Sequence, residues 1–246
     1  CDSVQEVMFI ASGNEELDAE ESDHLSIGAD WSVTDAWNVS LDYWMIKNDD
    51  AVRSSPQFYI DNESAFAGNV VRDGGGDIAM VLSPFENIAS QELWGLDMST
   101  SLRMSAGTMG DFEARLSAAY LGSFEQQASA GEPKEDIAGE DGYPEWRGQM
   151  SLMWERSDYA ASVTVNYTDG YERPVADDSI GAWTTVDLAL NWNPAMLKGG
   201  SVALGLDNAF DEKPPEDAFL EGWPFFNRAL HDPRGQFFYL RYSHDF

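Results

Sequence analysis

The chain has 246 residues, with 44 acidic side chains against 14 basic, a formal net charge of −30, 43% hydrophobic residues and 13% aromatic ones. That aromatic content excludes a disordered acidic chain, and the charge excludes a nucleic-acid partner, which would need clustered Lys and Arg. The lone cysteine, Cys1, excludes an internal disulfide framework and a thiolate metal cluster, and with no apolar run of 18 residues or more there is no transmembrane helix.

The chain begins at Cys1 rather than Met, without the basic and apolar regions of a signal peptide. A processed chain, a fragment and a lipoprotein, which would also start with Cys, all fit that beginning. Beyond it, nine segments read with period 2: Leu25–Val33, Trp37–Met45, Trp94–Met104, Phe112–Tyr120, Trp146–Trp154, Tyr159–Tyr167, Thr184–Trp192, Val202–Phe210 and Phe238–Phe246. Counting every second residue from the first of each, 41 of 46 are apolar, so each segment presents one face to an apolar medium. The alternate row carries Asp30, Asp42, Asp97, Arg103, Glu113, Arg115, Arg147, Glu155, Asp187, Asp207 and Arg241.

A soluble β-sandwich alternates too, but this chain places full charges at mid-strand on one row and bulky residues along the other. Aromatics gather at both ends of the apolar rows. Trp31, Trp37, Phe112, Trp154, Tyr159, Trp192 and Phe246 lie at one end, and Trp94, Tyr120, Trp146, Tyr167, Phe210 and Phe238 near the other. Two girdles flanking an apolar band are what a bilayer with two interfaces demands. The expected fold is therefore all-β, a transmembrane antiparallel β-barrel. Connections alternate between short (34–36, 105–111, 156–158, 193–200) and long (47–91, 122–145, 169–182, 211–234). Outer-membrane barrels have short periplasmic turns and long extracellular loops, which sets the orientation and puts the end of the chain in the periplasm.

No catalytic constellation is found, and no cofactor is implied. His24, His231 and His244 have no metal-ligand spacing to one another. His244 falls on the apolar row near the periplasmic interface. The stretch Asp73 to Asp77 reads as a hairpin turn joining Gly68–Asp73 to Asp77–Leu82, not as a cation loop, because it lacks downstream ligands. The acidic loops, such as 15–23 and 132–141, read as solvated surface. On the polar row near the outer mouth, Trp44, Arg147, Gln149, Trp183, Asp187 and Phe237 are candidates for facing a substrate.

Four stretches resemble one family. "SGNEELDAEESDHLSIGADW" resembles a GNP-L-PE-S pattern before a barrel strand, and "WNVSLDYWMIKNDDAV" the strand after it. "NIASQELWGLDMS" resembles the N-x-x-x-x-x-x-G-x-D stretch of a later strand. "LGLDNAFDEKPP" with "DPRGQFFYLRYSHDF" resembles the N-L-F-D-K-x-P and final-strand signature ending in Phe. In order and spacing these are similar to the C-terminal barrel of TonB-dependent outer-membrane receptors. Two prolines of the first pattern are replaced, by Glu15 and Ala19.

The resemblance implies that residues 1–246 are about nine C-terminal strands of a 22-stranded barrel, with 1–22 an extracellular loop and 23–246 strands and loops. The family's plug domain and TonB-binding segment are not in this chain. Cys1 on an outer loop then argues against a lipoprotein. The implied partners are outer-membrane lipid, the remainder of the receptor with its plug and N-terminal strands, and TonB through that remainder. The resemblance further implies that Phe238, Leu240, Tyr242 and Phe246 on the final strand are read by the barrel-assembly machinery. The expected function is active uptake of a small-molecule nutrient across the outer membrane of a Gram-negative cell. Iron–siderophore, haem, cobalamin and oligosaccharide receptors share this barrel, and the "DPRGQFFYLRY" ending leans toward receptors that include carbohydrate importers. Two other readings stay open. One is a small autonomous pore or adhesin, closed as ten strands with Val4–Ile10 as the tenth. The other is a soluble β-sandwich binding module.

Overall fold

In the computed structural model the described residues are 8–54, 56–61, 63–64, 66, 68–127, 133–140, 142–173, 178–217 and 225–244. The strands are β1 (Met8–Ser12), β2 (Glu21–Thr34), β3 (Trp37–Arg53), β4 (Val70–Arg72), β5 (Ile78–Pro84), β6 (Glu86–Ser105), β7 (Asp111–Gln127) and β8 (Glu135–Asp136). They continue as β9 (Trp146–Arg156), β10 (Tyr159–Thr168), β11 (Tyr171–Arg173), β12 (Asp178–Ile180), β13 (Trp183–Trp192), β14 (Gly200–Asp207) and β15 (Phe237–His244). Among the described residues one short α-helix, α1 (Pro56–Asp61), interrupts them, with 3-10 turns at Gly107–Met109 and Ala195–Leu197.

The nine alternating segments all lie on one sheet, in the order β15-β14-β13-β10-β9-β7-β6-β3-β2, with β8 added against β7. The neighbours are also successive long strands in the chain, so the sheet is an antiparallel meander. Its register keeps like rows together. Val163 on β10 faces Leu152 on β9 and Leu188 on β13, while the next residue, Thr164, faces Ser151 and Asp187. The apolar row is also the uncovered one. Leu102, Leu116, Met150, Leu152, Leu188, Leu190, Leu240 and Tyr242 are all exposed, whereas the buried hydrophobic residues, Ala51, Tyr59, Val70, Val81, Tyr171 and Ile180, all lie off the nine apolar rows. A soluble sandwich would bury those rows against a second sheet. Here nothing of the described chain covers them, which is the arrangement that a bilayer calls for.

The turns follow local chemistry. Between β9 and β10 only Ser157 and Asp158 intervene, with Ser157 in the left-handed region at φ 51°. Val202–Phe210 is shorter than its alternation predicts. The strand stops at Asp207 because Asn208 and Asp211 turn at φ 47° and 53°, and the Asn208 side chain bonds the backbone of Glu212 in both directions. Several strands also run past the apolar band: β3 extends to Arg53, β6 begins at Glu86 and β7 ends at Gln127, so the connections there are shorter than the loss of alternation predicts.

The chain divides into two compact units. The first comprises residues 1–25, 45–93 and 123–136. It holds a three-stranded sheet in the order β1-β5-β4, with α1 against it. Tyr59, Val70 and Val81 form its buried centre, flanked by Phe58, Ile60, Phe66 and Ile78. The Tyr59 hydroxyl donates to Glu86 at 2.6 Å. As expected from the sequence, β4 and β5 form a hairpin, turned by Asp73, whose carboxylate accepts from the N–H groups of Gly75 (2.8 Å) and Asp77 (3.0 Å). One expectation is corrected. The strand that begins within Val4–Ile10 is β1, and it does not extend the meander as a tenth strand. It pairs in parallel with β5, Met8 opposite Met80, in this separate small sheet.

The second unit comprises residues 26–44, 94–122 and 137–246. It holds β9 to β15 and the girdled parts of β2, β3, β6 and β7. Neighbouring aromatics pack along one end of the apolar row, Trp94 against Tyr120 at 6.2 Å and Tyr120 against Trp146 at 4.6 Å.

Candidate site on the polar face

The polar face of the second unit carries the candidate site. Strands β9, β10, β13 and β15 place Arg147, Asn166, Thr168, Trp183, Thr185, Asp187 and Phe237 on it, because each falls on the row opposite the lipid row. The described end of the connection before β15, residues 225–236, lies against these residues. It contributes Leu230, Asp232, Arg234 and Gly235, and together they enclose a cavity of about 360 Å³.

Two reasons explain the return of that connection. Asp232 accepts from the Arg234 N–H at 3.0 Å, so the Asp-Pro-Arg-Gly stretch is a side-chain-closed turn, and Gly235 completes it at φ 60°. At its foot, Gln236 donates its N–H to Asp211 (2.9 Å) and its amide to the Ala209 carbonyl (2.8 Å), which ties the two ends of the connection together.

Inside the cavity, most acceptors are already bonded. Asp187 accepts from Asn166 Nδ2 at 2.7 Å and from the Asn208 N–H at 2.8 Å. The Arg234 guanidinium grips Asp232 at 2.6 Å and holds its carboxyl below the usual aspartate range. Arg234 also lies 5.7 Å from the centre of the Phe237 ring, a cation–π distance. His231 is buried and packs edge-to-face against Trp183 at 5.2 Å. Burial holds the imidazole below its ordinary pKa, a hydrogen bond to the Asn227 carbonyl opposes that, and the Arg147 charge adds to it. The Trp183 indole nitrogen is buried without a hydrogen-bond partner among the described residues.

Of the six polar-row candidates, the structure brings Arg147, Trp183, Asp187 and Phe237 into this one cavity. Gln149 sits beside it, donating to Asn166 at 2.8 Å, and lines an adjoining cleft of about 480 Å³ with Asp42, Asp97 and Arg147. Trp44 is elsewhere, its indole lying over Gly95 on the neighbouring strand. The sequence reading missed His231, Asp232 and Arg234. The Asp232-Pro233-Arg234-Gly235 turn was the signal available, but its return onto the wall depends on partners from four strands. On β15, Phe238, Leu240 and Tyr242 face Leu206, Leu204 and Val202 of β14, and Phe246 lies outside the described residues. Among the described residues no group of three or more metal-ligating side chains occurs, and no helix is long and apolar enough to cross a membrane.

A meander with a lipid-facing row, two aromatic girdles and a polar face carrying a roofed cavity defines the wall of an outer-membrane β-barrel. The sequence model for "TonB dependent receptor-like, beta-barrel" matches residues 4–209, and the chain belongs to that family, one of receptors and transporters of the Gram-negative outer membrane. No curated protein matches the sequence. Similar solved structures include the ferric enterobactin receptor of Pseudomonas aeruginosa, at 17% identity and TM-score 0.63 over 96% of this chain and 32% of that one. The outer-membrane transporter YddB of Escherichia coli is similar at 11% identity and TM-score 0.59, over 87% and 31% of the two chains. The FrpB iron transporter of Neisseria meningitidis is similar at 14% identity and TM-score 0.57, over 84% and 30%. The chain thus spans about a third of the length of these neighbours.

Proposed function

We propose that residues 1–246 are the C-terminal part of the barrel of a TonB-dependent uptake receptor, forming wall and extracellular loops while sequence outside this chain supplies the plug, the other strands and the contact with TonB. The observation that carries this reading is the family match over residues 4–209 on a nine-strand meander whose apolar face is uncovered. The chain's part is to hold and present, not to catalyse. Residues 1–22 belong to an extracellular loop and 23–246 to strands and loops. Arg147, Trp183, Asp187 and Phe237, with Gln149 and Trp44 at neighbouring points of the wall, face the cargo on its way in. The cargo is a siderophore, a carbohydrate or a similar nutrient. The row Phe238, Leu240, Tyr242 and Phe246 on the last strand serves barrel assembly, because an aromatic strand edge is open to capture by strand addition before it is paired.

The test is accumulation of two probes, radiolabelled ferric enterobactin and a fluorescent malto-oligosaccharide, in cells with and without the full-length receptor. The expected result is accumulation of one probe that requires the receptor and disappears both when TonB is deleted and when the proton gradient is collapsed. Receptor-dependent entry that survives both treatments would overturn the reading in favour of a passive pore.

A further inference from the structure

On β15 the polar row carries two aromatic rings in succession, Phe237 and Tyr239, and β14 beside them is shaped to receive one of them. Gly205 stands opposite Tyr239 across the ladder, and a Cβ there would collide with Cε1, Cζ and the hydroxyl oxygen of that ring. Because residue 205 has no side chain, the Tyr239 ring lies down against the wall. Phe237 follows at 6.4 Å with its plane 31° from that of Tyr239, and 44% of its surface stays exposed. The two rings thus turn their faces, not their edges, to the polar side. Around Phe237 the cavity adds hydrogen-bonding groups in fixed positions. Asp187 is held by Asn166 and by the Asn208 N–H, and Thr185 and Arg147 line the same space. The charge here is one-sided. Asp187, Asp207 and Asp232 line the cavity, and Asp42 and Asp97 the adjoining cleft. Against these five stand Arg147, shared by both, and Arg234, whose guanidinium is already paired with Asp232.

We propose that Phe237 and Tyr239 form a stacking platform for the rings of an uncharged oligosaccharide, and that Gly205 sets the platform's tilt. A pyranose ring has a face made largely of C–H groups and a rim of hydroxyls. An aromatic face covers the first without needing a hydrogen bond, and carboxylate, hydroxyl and guanidinium groups beside it satisfy the second. Five carboxylates against two guanidinium groups repel a polyanion, whether a ferric catecholate or an acidic glycan. A cation finds little free charge in the cavity, since Asp187 already accepts two hydrogen bonds and Asp232 is paired with Arg234. A neutral, hydroxyl-rich ring meets neither obstacle. That the sugar is cargo rests on the uptake reading above. That it binds at this platform does not.

The test uses the purified full-length receptor in lipid nanodiscs, with no TonB and no proton gradient. Isothermal titration compares maltohexaose, xylohexaose and cellohexaose as neutral probes with hexagalacturonate as an anionic one and the chitosan hexamer as a cationic one. At least one neutral probe is expected to bind, and both charged probes to bind at least about tenfold more weakly. Tyr239→Ala and Phe237→Ala are each expected to weaken the neutral probe by at least about tenfold, and Tyr239→Phe, which keeps the ring, by less than about threefold. Gly205→Ala keeps both rings but lifts Tyr239 off the wall, and is expected to weaken binding about as much as Tyr239→Ala. Leu204→Ala, opposite Leu240 on the lipid row of β14, is expected to change nothing. Saturation-transfer NMR of the parent receptor, irradiated at its aromatic protons, is expected to mark the C–H protons of the bound sugar, and it needs no variant to fold. Failure of all three neutral probes to bind would overturn the proposal. So would binding that the Tyr239 and Phe237 variants leave intact, or tighter binding of either charged probe. TonB-dependent accumulation of ferric enterobactin without sugar binding would sink this assignment and leave the uptake reading standing. Sugar binding to a receptor whose uptake ignores TonB would do the reverse.

Discussion

Two glycines on the polar face show how one missing side chain is used differently at neighbouring places. At Gly95 an added Cβ would run into the Trp44 indole and come within 2.6 Å of the Tyr120 carbonyl oxygen, which is backbone and cannot yield. At Gly28 the first obstacle is the Asp42 carboxylate, the free end of a flexible chain. Gly95→Ala is therefore expected to cost ~1–3 kcal/mol, and Gly28→Ala less than about 0.5 kcal/mol. The midpoint temperature at which the full receptor loses its compact form on unheated gels would separate them, with equal midpoints sinking the argument. His231 gives a second residue-level outcome. The groups facing it are Arg147 on β9, Trp183 on β13, and Phe226 and the Asn227 carbonyl on its own connection; burial favours the neutral ring. A folded-state pKa below the unfolded one contributes stability that is present above about pH 6.5 and is lost as the pH falls through the lower, folded value. Amide protection of 225–236 is expected to weaken over that acidic window in the parent receptor, and to stay level there in His231→Phe. Parallel pH curves for the two would show that another group titrates.

Alternate residues of one strand meet different solvents, and this is what made the strands readable. Val163 and Thr164 are neighbours on β10. Val163 lies between Leu152 and Leu188, Thr164 between Ser151 and Asp187. Val163→Arg puts a charge in the hydrocarbon and is expected to cost ~2–4 kcal/mol, whereas Thr164→Arg reaches the lumen beside Asp187 and is expected to cost well under half of that. Urea titration of the receptor in vesicles would check this, and equal losses would mean that Val163 does not face lipid. The same physics limits what the sequence could say. Period 2 marks a strand only where its two faces meet media of different polarity, so the far ends of β3, β6 and β7, beyond the apolar band, read as loops although the strands continue. β1 is a clearer loss. Its Met8, Phe9 and Ile10 do not alternate, and its partner β5 is settled by tertiary contact some seventy residues on. Arg147, Trp183, Asp187 and Phe237 could be named beforehand because a wall residue's direction follows from its row. Asp217, Arg173 and His231 could not, since residues of the connections carry no such row, and the meeting of Asp217 with Arg173 and of His231 with Trp183 depends on where two connections fold.

At the scale of the molecule, the sheet's two outer strands decide what the chain can be. Among the described residues neither β2 nor β15 has a second strand neighbour, and β1, which could have supplied one, is committed to β5. Each backbone N–H or C=O left unpaired within hydrocarbon costs several kcal/mol, so a sheet of this kind is stable in a bilayer only when other strands cover both edges. In the uptake reading those strands come from the rest of the receptor, in keeping with the one-third of a neighbour's length that this chain covers. Refolding residues 1–246 alone into detergent micelles is accordingly expected to give aggregate, or a chain that runs at the same position on gels before and after heating. Mixing in the remaining strands of the receptor is expected to restore a heat-modifiable species of their combined mass. A lone 27.3 kDa species that resists SDS until heated would reverse the conclusion. It would mean that β2 and β15 find each other, and that the chain is a small barrel in its own right.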